Sequence, residues 1–108
     1  MAISVIKNRA DFLGANRGLR VARPGFVLLA QPNGGQGKRY GVTVTKKIGN
    51  AVVRNRIKRR FRALAHDVLS VSGVAGADHV LIGRADALTR DFAQLKADLT
   101  KALGKVSR

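Results

Sequence analysis

The sequence contains no cysteine, no tryptophan and no glutamate. Without cysteine there is no disulfide framework and no thiolate metal site. The two histidines, His66 and His79, are too few and too isolated to build a zinc site. No apolar run approaches the roughly 20 residues that cross a bilayer, and the first seven residues lack a signal-peptide core. The most basic stretch carries no Trp and no Leu-rich insertion face, which argues against a peripheral membrane role. The expectation is a cytoplasmic protein without a membrane partner. Carboxylates are scarce as well: the only six are Asp11, Asp67, Asp78, Asp86, Asp91 and Asp98. None lies between residues 12 and 66, a span that holds thirteen Lys and Arg.

What the chain has instead is positive charge. Its 108 residues carry a formal net charge of +15, far more than solubility requires. A chain of this length is one domain with a small core, here residues 1–108 with 1–7 as a loose lead-in. The charge is densest from Lys46 to Arg62, where eight cations meet no acid. Such a run usually reads as a disordered tail. Here Val53, Ile57, Phe61, Leu64 and Val68 fall at helical spacing and form one apolar stripe. Arg54, Lys58 and Arg62 make one row beside it, and Arg56, Arg59 and Arg60 flank the other side. Like-charged pairs at i, i+4 each cost roughly 0.2–0.5 kcal/mol, and no glutamate compensates them. A phosphate backbone is the counter-charge such a helix calls for.

In chain order, Asn8 to about Arg17 predicts a short helix containing Phe12. Leu19–Arg23 alternates as an edge strand does, and Phe26–Ala30 is an apolar strand. Gln31–Gly37 is a turn by composition. Lys38–Thr45 is a second main strand, predicted to pair with the first as an antiparallel hairpin. Asn50 is a good N-cap for the basic helix, which runs to about Leu69. Asp78–Gly83 is the next strand. A last helix carries Leu88, Phe92, Leu95, Leu99 and Leu103 and ends at Gly104. The strand–helix–strand unit implies a parallel βαβ crossover. The whole predicts an α+β fold, a small α-β sandwich of order α-β-β-α-β-α with helices packed on a mixed sheet.

No catalytic constellation emerges. A self-sufficient nuclease needs clustered carboxylates for metal ions or a placed His; here the Asp residues are scattered, and both His read as structural or surface residues. The glycines near Lys38 lack a P-loop ending and do not precede a helix. Basic residues interleave with Phe12, Phe26, Tyr40 and Phe61, a pattern that single-stranded RNA binders use and that a plain core also produces. From the residues alone, the chain reads as an RNA-binding protein without a catalytic site of its own, and its charge and size fit a structural RNA-binding protein of the small ribosomal type.

The segment Lys46-Lys47-Ile48-Gly49-Asn50-Ala51-Val52-Val53-Arg54-Asn55-Arg56-Ile57-Lys58-Arg59 closely resembles the signature of the bacterial ribonuclease P protein subunit, whose hallmark is its Arg54-Asn55-Arg56 core. Asp11-Phe12, Pro24–Leu28, Tyr40–Lys47 and Asp78–Ile82 resemble other family segments, in order. The resemblance implies a protein partner of a catalytic RNA that removes the 5′ leader of precursor tRNA. It implies that Mg2+ is held mainly by the RNA, that the βαβ crossover is left-handed, and that the protein is monomeric in the holoenzyme. It assigns RNA contacts to Lys46, Lys47, Asn50, Arg54, Asn55, Arg56, Lys58, Arg59, Arg60 and Arg62. It assigns a leader-binding cleft to Phe12, Phe26, Leu28 and Val42, with Lys58 and Arg62 at the rim. Relatives carry a second aromatic about a turn after Phe12; here Leu13-Gly14-Ala15-Asn16 follows, which implies weaker base stacking from that segment.

Overall fold

The computed structural model describes residues 3–6, 18–35 and 37–106. The predicted helix from Asn8 to Arg17, Phe12 included, lies outside the described residues.

Five strands form one mixed sheet. They are β1 (Ser4–Val5), β2 (Leu19–Ala22), β3 (Phe26–Pro32), β4 (Arg39–Thr43) and β5 (Ala77–Gly83), and their spatial order is β1-β4-β5-β3-β2. β2 and β3 form a hairpin around Pro24-Gly25, closed by the Arg23 N–H on the Phe26 carbonyl at 2.8 Å. β5 then inserts as the centre. It runs antiparallel to β3, from Phe26 opposite Gly83 to Pro32 opposite Ala77. It runs parallel to β4, from Arg39 opposite Asp78 to Thr43 opposite Ile82.

Two expectations fail here. β3 and β4 do not pair as a hairpin, because β5 lies between them. Residues 33–38 connect them and cross roughly 10 Å, twice the interstrand spacing. Gly34, Gly35 and Gly37 adopt positive φ in this connection, and Asn33 ties it down. The Asn33 N–H bonds the Gly76 carbonyl at 2.9 Å, and its side-chain amide bonds Gly37 O at 2.7 Å and Asp78 Oδ1 at 2.9 Å. Nor are residues 3–6 a loose lead-in. β1 pairs in parallel with β4, and Ile3 and Ile6 are buried. The described order therefore has four strands ahead of the basic helix.

That helix, α1 (Ala51–Leu64), begins where expected. The Asn50 backbone is extended, and its side-chain oxygen accepts the Val53 N–H at 3.0 Å. The helical backbone continues through a wider turn, Ala65–Leu69, in which the Ser70 N–H reaches the Ala65 carbonyl five residues back, and on to Ser72. The last helix, α2 (Phe92–Val106), passes through Gly104. A helical glycine costs about 1 kcal/mol relative to Ala, and the burial of Val106 against the core offsets it.

The apolar run Phe26–Ala30 is buried on both sides, as in the centre of a covered sheet. Phe26, Leu28 and Ala30 face a core shared with Ile57, Phe61 and Leu64 of α1 and with Leu95, Leu99 and Leu103 of α2. Phe26 and Phe61 meet edge to face, with ring centroids 6.2 Å apart. Val27, Leu29 and Val80 join Ile6 on the opposite face.

Candidate nucleic-acid interface

The stripe Ile57, Phe61 and Leu64 points α1 into the core, so its charged residues are turned outward. Asn55, Arg56, Arg59 and Arg62 are exposed, and Arg54, Lys58 and Arg60 are half-buried. Lys46 and Lys47 are exposed on a single 3-10 turn, Lys46–Ile48, just ahead of the helix. Gly49 lets that turn press on α1: a Cβ there would lie 2.9 Å from the Val53 side chain. Asn50 is exposed, but its side-chain oxygen is committed to the cap, leaving only its amide N–H groups for a ligand.

Two of the helix cations differ from their neighbours. The Nε of Arg54 is buried and has no hydrogen-bond partner among the described residues. Arg60, by contrast, is spent inside the protein. Its two terminal nitrogens donate to the backbone carbonyls of Leu88 and Arg90, 28 and 30 residues away. The expectation that Arg60 is an open RNA contact is corrected accordingly. It ties α1 to the segment leading into α2.

Two grooves run along opposite flanks of α1. One, about 530 Å³, lies against the β1–β4 edge of the sheet and is lined by Val5, Ile6, Tyr40, Gly41, Val42, Lys58 and Arg62. The other, about 550 Å³, lies against the start of α2 and is lined by Arg56, Arg59, Arg60, Ala63, Leu88 and Phe92. Between them, Val52, Asn55, Lys58, Arg59 and Arg62 line a smaller basic depression.

The first groove unites part of the predicted cleft: Val42 with Lys58 and Arg62. Phe26 and Leu28 do not belong to it. Each is 0% exposed beneath the helices, so neither side chain can touch a ligand. Their places are taken by Val5 and Ile6, residues that lie in the segment read as a lead-in. The second groove contains Leu88 and Phe92, both read from the sequence as core stripe. Only their half-burial separates them from Leu95 and Leu99, and periodicity alone does not report that.

Away from the two grooves, Asp78 and His79 serve the structure. Arg39 forks onto Asp78, Nε to Oδ1 at 2.7 Å and Nη2 to Oδ2 at 2.8 Å. Burial acts to raise the Asp78 pKa, but the hydrogen bonds from Arg39 and Asn33 and the Arg39 charge outweigh it and hold the carboxyl below its ordinary range. His79 is fully buried. Its Nε2 accepts the Val74 N–H at 2.9 Å, so Nδ1 carries the proton and donates to the Arg39 carbonyl at 3.0 Å. Burial pushes its pKa down, which keeps the ring neutral. Asp98 is held by Arg90, and Asp67 by Lys96. Among the described residues no three His, Asp or Glu side chains come together to hold a metal ion, and no helix is long and apolar enough to cross a membrane.

Comparison with known proteins converges on one family. The family model described as Ribonuclease P matches residues 3–107. The ribonuclease P protein component of Erythrobacter litoralis is 67% identical over 100 residues, covering 93% of this chain and 83% of its own. That of Ruegeria pomeroyi is 44% identical over 108 residues, covering 96% and 86%. Among solved structures, the RNase P protein of Thermotoga maritima superposes with a TM-score of 0.79 at 28% identity, covering 95% of this chain and 97% of that one. The RNase P protein of Staphylococcus aureus gives 0.75 at 31% identity, covering 96% and 97%. An α+β fold on a mixed sheet, a capped basic helix between β4 and β5, and a match across nearly the whole chain lead to one conclusion: this chain belongs to the ribonuclease P protein family and acts in tRNA 5′ processing.

Proposed function

We propose that α1 binds the ribonuclease P RNA, and that the groove against the β1–β4 edge receives the single-stranded 5′ leader of precursor tRNA. The observation that carries this reading is the outward face of α1. Its cations are exposed or half-exposed between two grooves, and no carboxylate lines either groove or the depression between them. Arg56 and Arg59 extend their forks to phosphates of that RNA. Half-buried Arg54 adds positive charge at the helix shoulder, and Lys46 and Lys47 extend the basic surface past the N-terminus. In the first groove, Val42 and the exposed Val5 offer an apolar floor, and Lys58 and Arg62 a charged rim, to a strand without secondary structure.

The chemistry in this proposal belongs to the RNA subunit, which holds the catalytic Mg2+. The protein, one copy per RNA, screens repulsion between the RNA, the substrate and its metal ions. The test is cleavage of a 5′-labelled precursor tRNA by a bacterial ribonuclease P RNA at low magnesium, with and without this protein. Restored 5′ processing, with no cleavage by the protein alone, is the expected outcome. Binding to RNA without any change in rate refutes the reading and favours a structural RNA-binding role.

A further inference from the structure

We propose that the groove between α1 and the start of α2 takes one unpaired nucleotide of the ribonuclease P RNA, its base packed on Phe92 and Leu88 and its flanking phosphates on Arg56 and Arg59. This rests on the reading that α1 binds that RNA, and it names the chemistry of one flank. The groove sets two open cations, Arg56 and Arg59, against an aromatic and a leucine, and no carboxylate lines it. Phe92 and Leu88 are half-buried, in contrast to the fully buried Leu95 and Leu99 that follow them. They therefore present apolar surface where the cations are.

The wall of the groove is fixed in advance. Arg60 bonds the carbonyls of Leu88 and Arg90 from below, which holds Leu88 in place without drawing on Arg56 or Arg59. Lys96 lies 5.5 Å from the Phe92 ring centroid and pairs with Asp67 at 3.3 Å, so it braces the ring. A base inside a duplex has no free π-face to offer such a site, whereas an unpaired one does. The leader lies, in the reading above, on the other flank, a helix diameter of about 10 Å away. The RNA subunit is therefore the source of this nucleotide.

The chain has no tryptophan, so Phe92→Trp places a single indole in the groove. Titration of that variant with the ribonuclease P RNA should quench its emission, and a single-stranded leader oligonucleotide should not. In parallel, fluorescence anisotropy of labelled RNA should show Phe92→Leu, which keeps apolar volume but loses the ring, binding about tenfold more weakly than wild type. Phe92→Tyr should bind normally, which separates loss of the ring from loss of fold. RNA that binds without quenching, with Phe92→Leu equal to wild type, overturns the proposal. Quenching by the leader oligonucleotide alone also overturns it and reassigns the groove to substrate. Wild-type protein that fails to bind the RNA by anisotropy defeats the broader reading of α1 instead, and with it this one.

Discussion

The two flanks of α1 carry the same sign of charge and differ in what stands opposite. On one side Lys58 and Arg62 face the sheet edge, where backbone and β-branched side chains make a smooth floor. On the other, Arg56 and Arg59 face Leu88 and Phe92 on a segment strapped down by Arg60. A helix two turns long in its motif thus serves two surfaces, because successive cations step around its axis by about 100°. Charge alone would make the flanks interchangeable. The opposing walls make them distinct.

Paired substitutions test that distinction most severely. Arg56→Ala with Arg59→Ala should weaken binding of the RNA subunit by about tenfold to a hundredfold, and more so at low magnesium. Lys58→Ala with Arg62→Ala should spare that affinity and instead weaken precursor tRNA relative to mature tRNA. Filter binding with both ligands decides the matter; equal losses from the two pairs would erase the difference between the flanks. Next in size is the strap. Arg60→Ala leaves two carbonyls without a charged donor and should cost about 1–2 kcal/mol, since the side chain is partly exposed. Calorimetry should then find Tm lower by about 5–10 °C. An unchanged Tm would mean that the Leu88–Arg90 segment holds itself.

The smallest effect concerns the floor of the first groove. His79 and Asp78 both grip Arg39, the first residue of β4. Both have folded pKa values below their ordinary ones. For His79 the unfolded chain gains its proton near the ordinary 6.5 while the folded ring stays neutral. The unfolded state then binds more protons, and stability falls as pH drops below that value. Asp78 adds its own loss at lower pH, below 3.8 and down through its folded pKa. Urea unfolding at pH 7.5 and 5.5 should show lower stability at 5.5, and His79→Gln should remove most of the difference. A profile equally steep in that variant would place the sensitivity elsewhere.

The sequence made some of this legible and not the rest, for identifiable reasons. α1, its Asn50 cap and the split of its cations into two rows follow from a 3.6-residue period and one capping side chain. Both are local, and the structure keeps them. The existence of β2 to β5 was legible as well, whereas β1, two residues long, is too short to show an alternation. Strand order was not, because β5 displaces an expected hairpin through pairings that involve residues about fifty apart. Phe26 and Leu28 were placed in the cleft by the family resemblance, and an apolar run buried on both faces has no alternation that would have marked them as closed off. Arg59 and Arg60 are adjacent and alike in sequence. Their fates diverge because the acceptors of Arg60 lie in another element.

The central position of β5 has a consequence for how the protein comes into being. β3 and β4 have no bonds to each other and wait on residues 77–83 to join them. During synthesis, the whole basic helix is made before the strand that gives it a sheet to lie on. The nascent chain therefore carries its densest positive charge before the sheet that supports it can close. Its sheet closes only when β5 has been made, so completion of the fold waits on a strand that follows the basic helix in the chain.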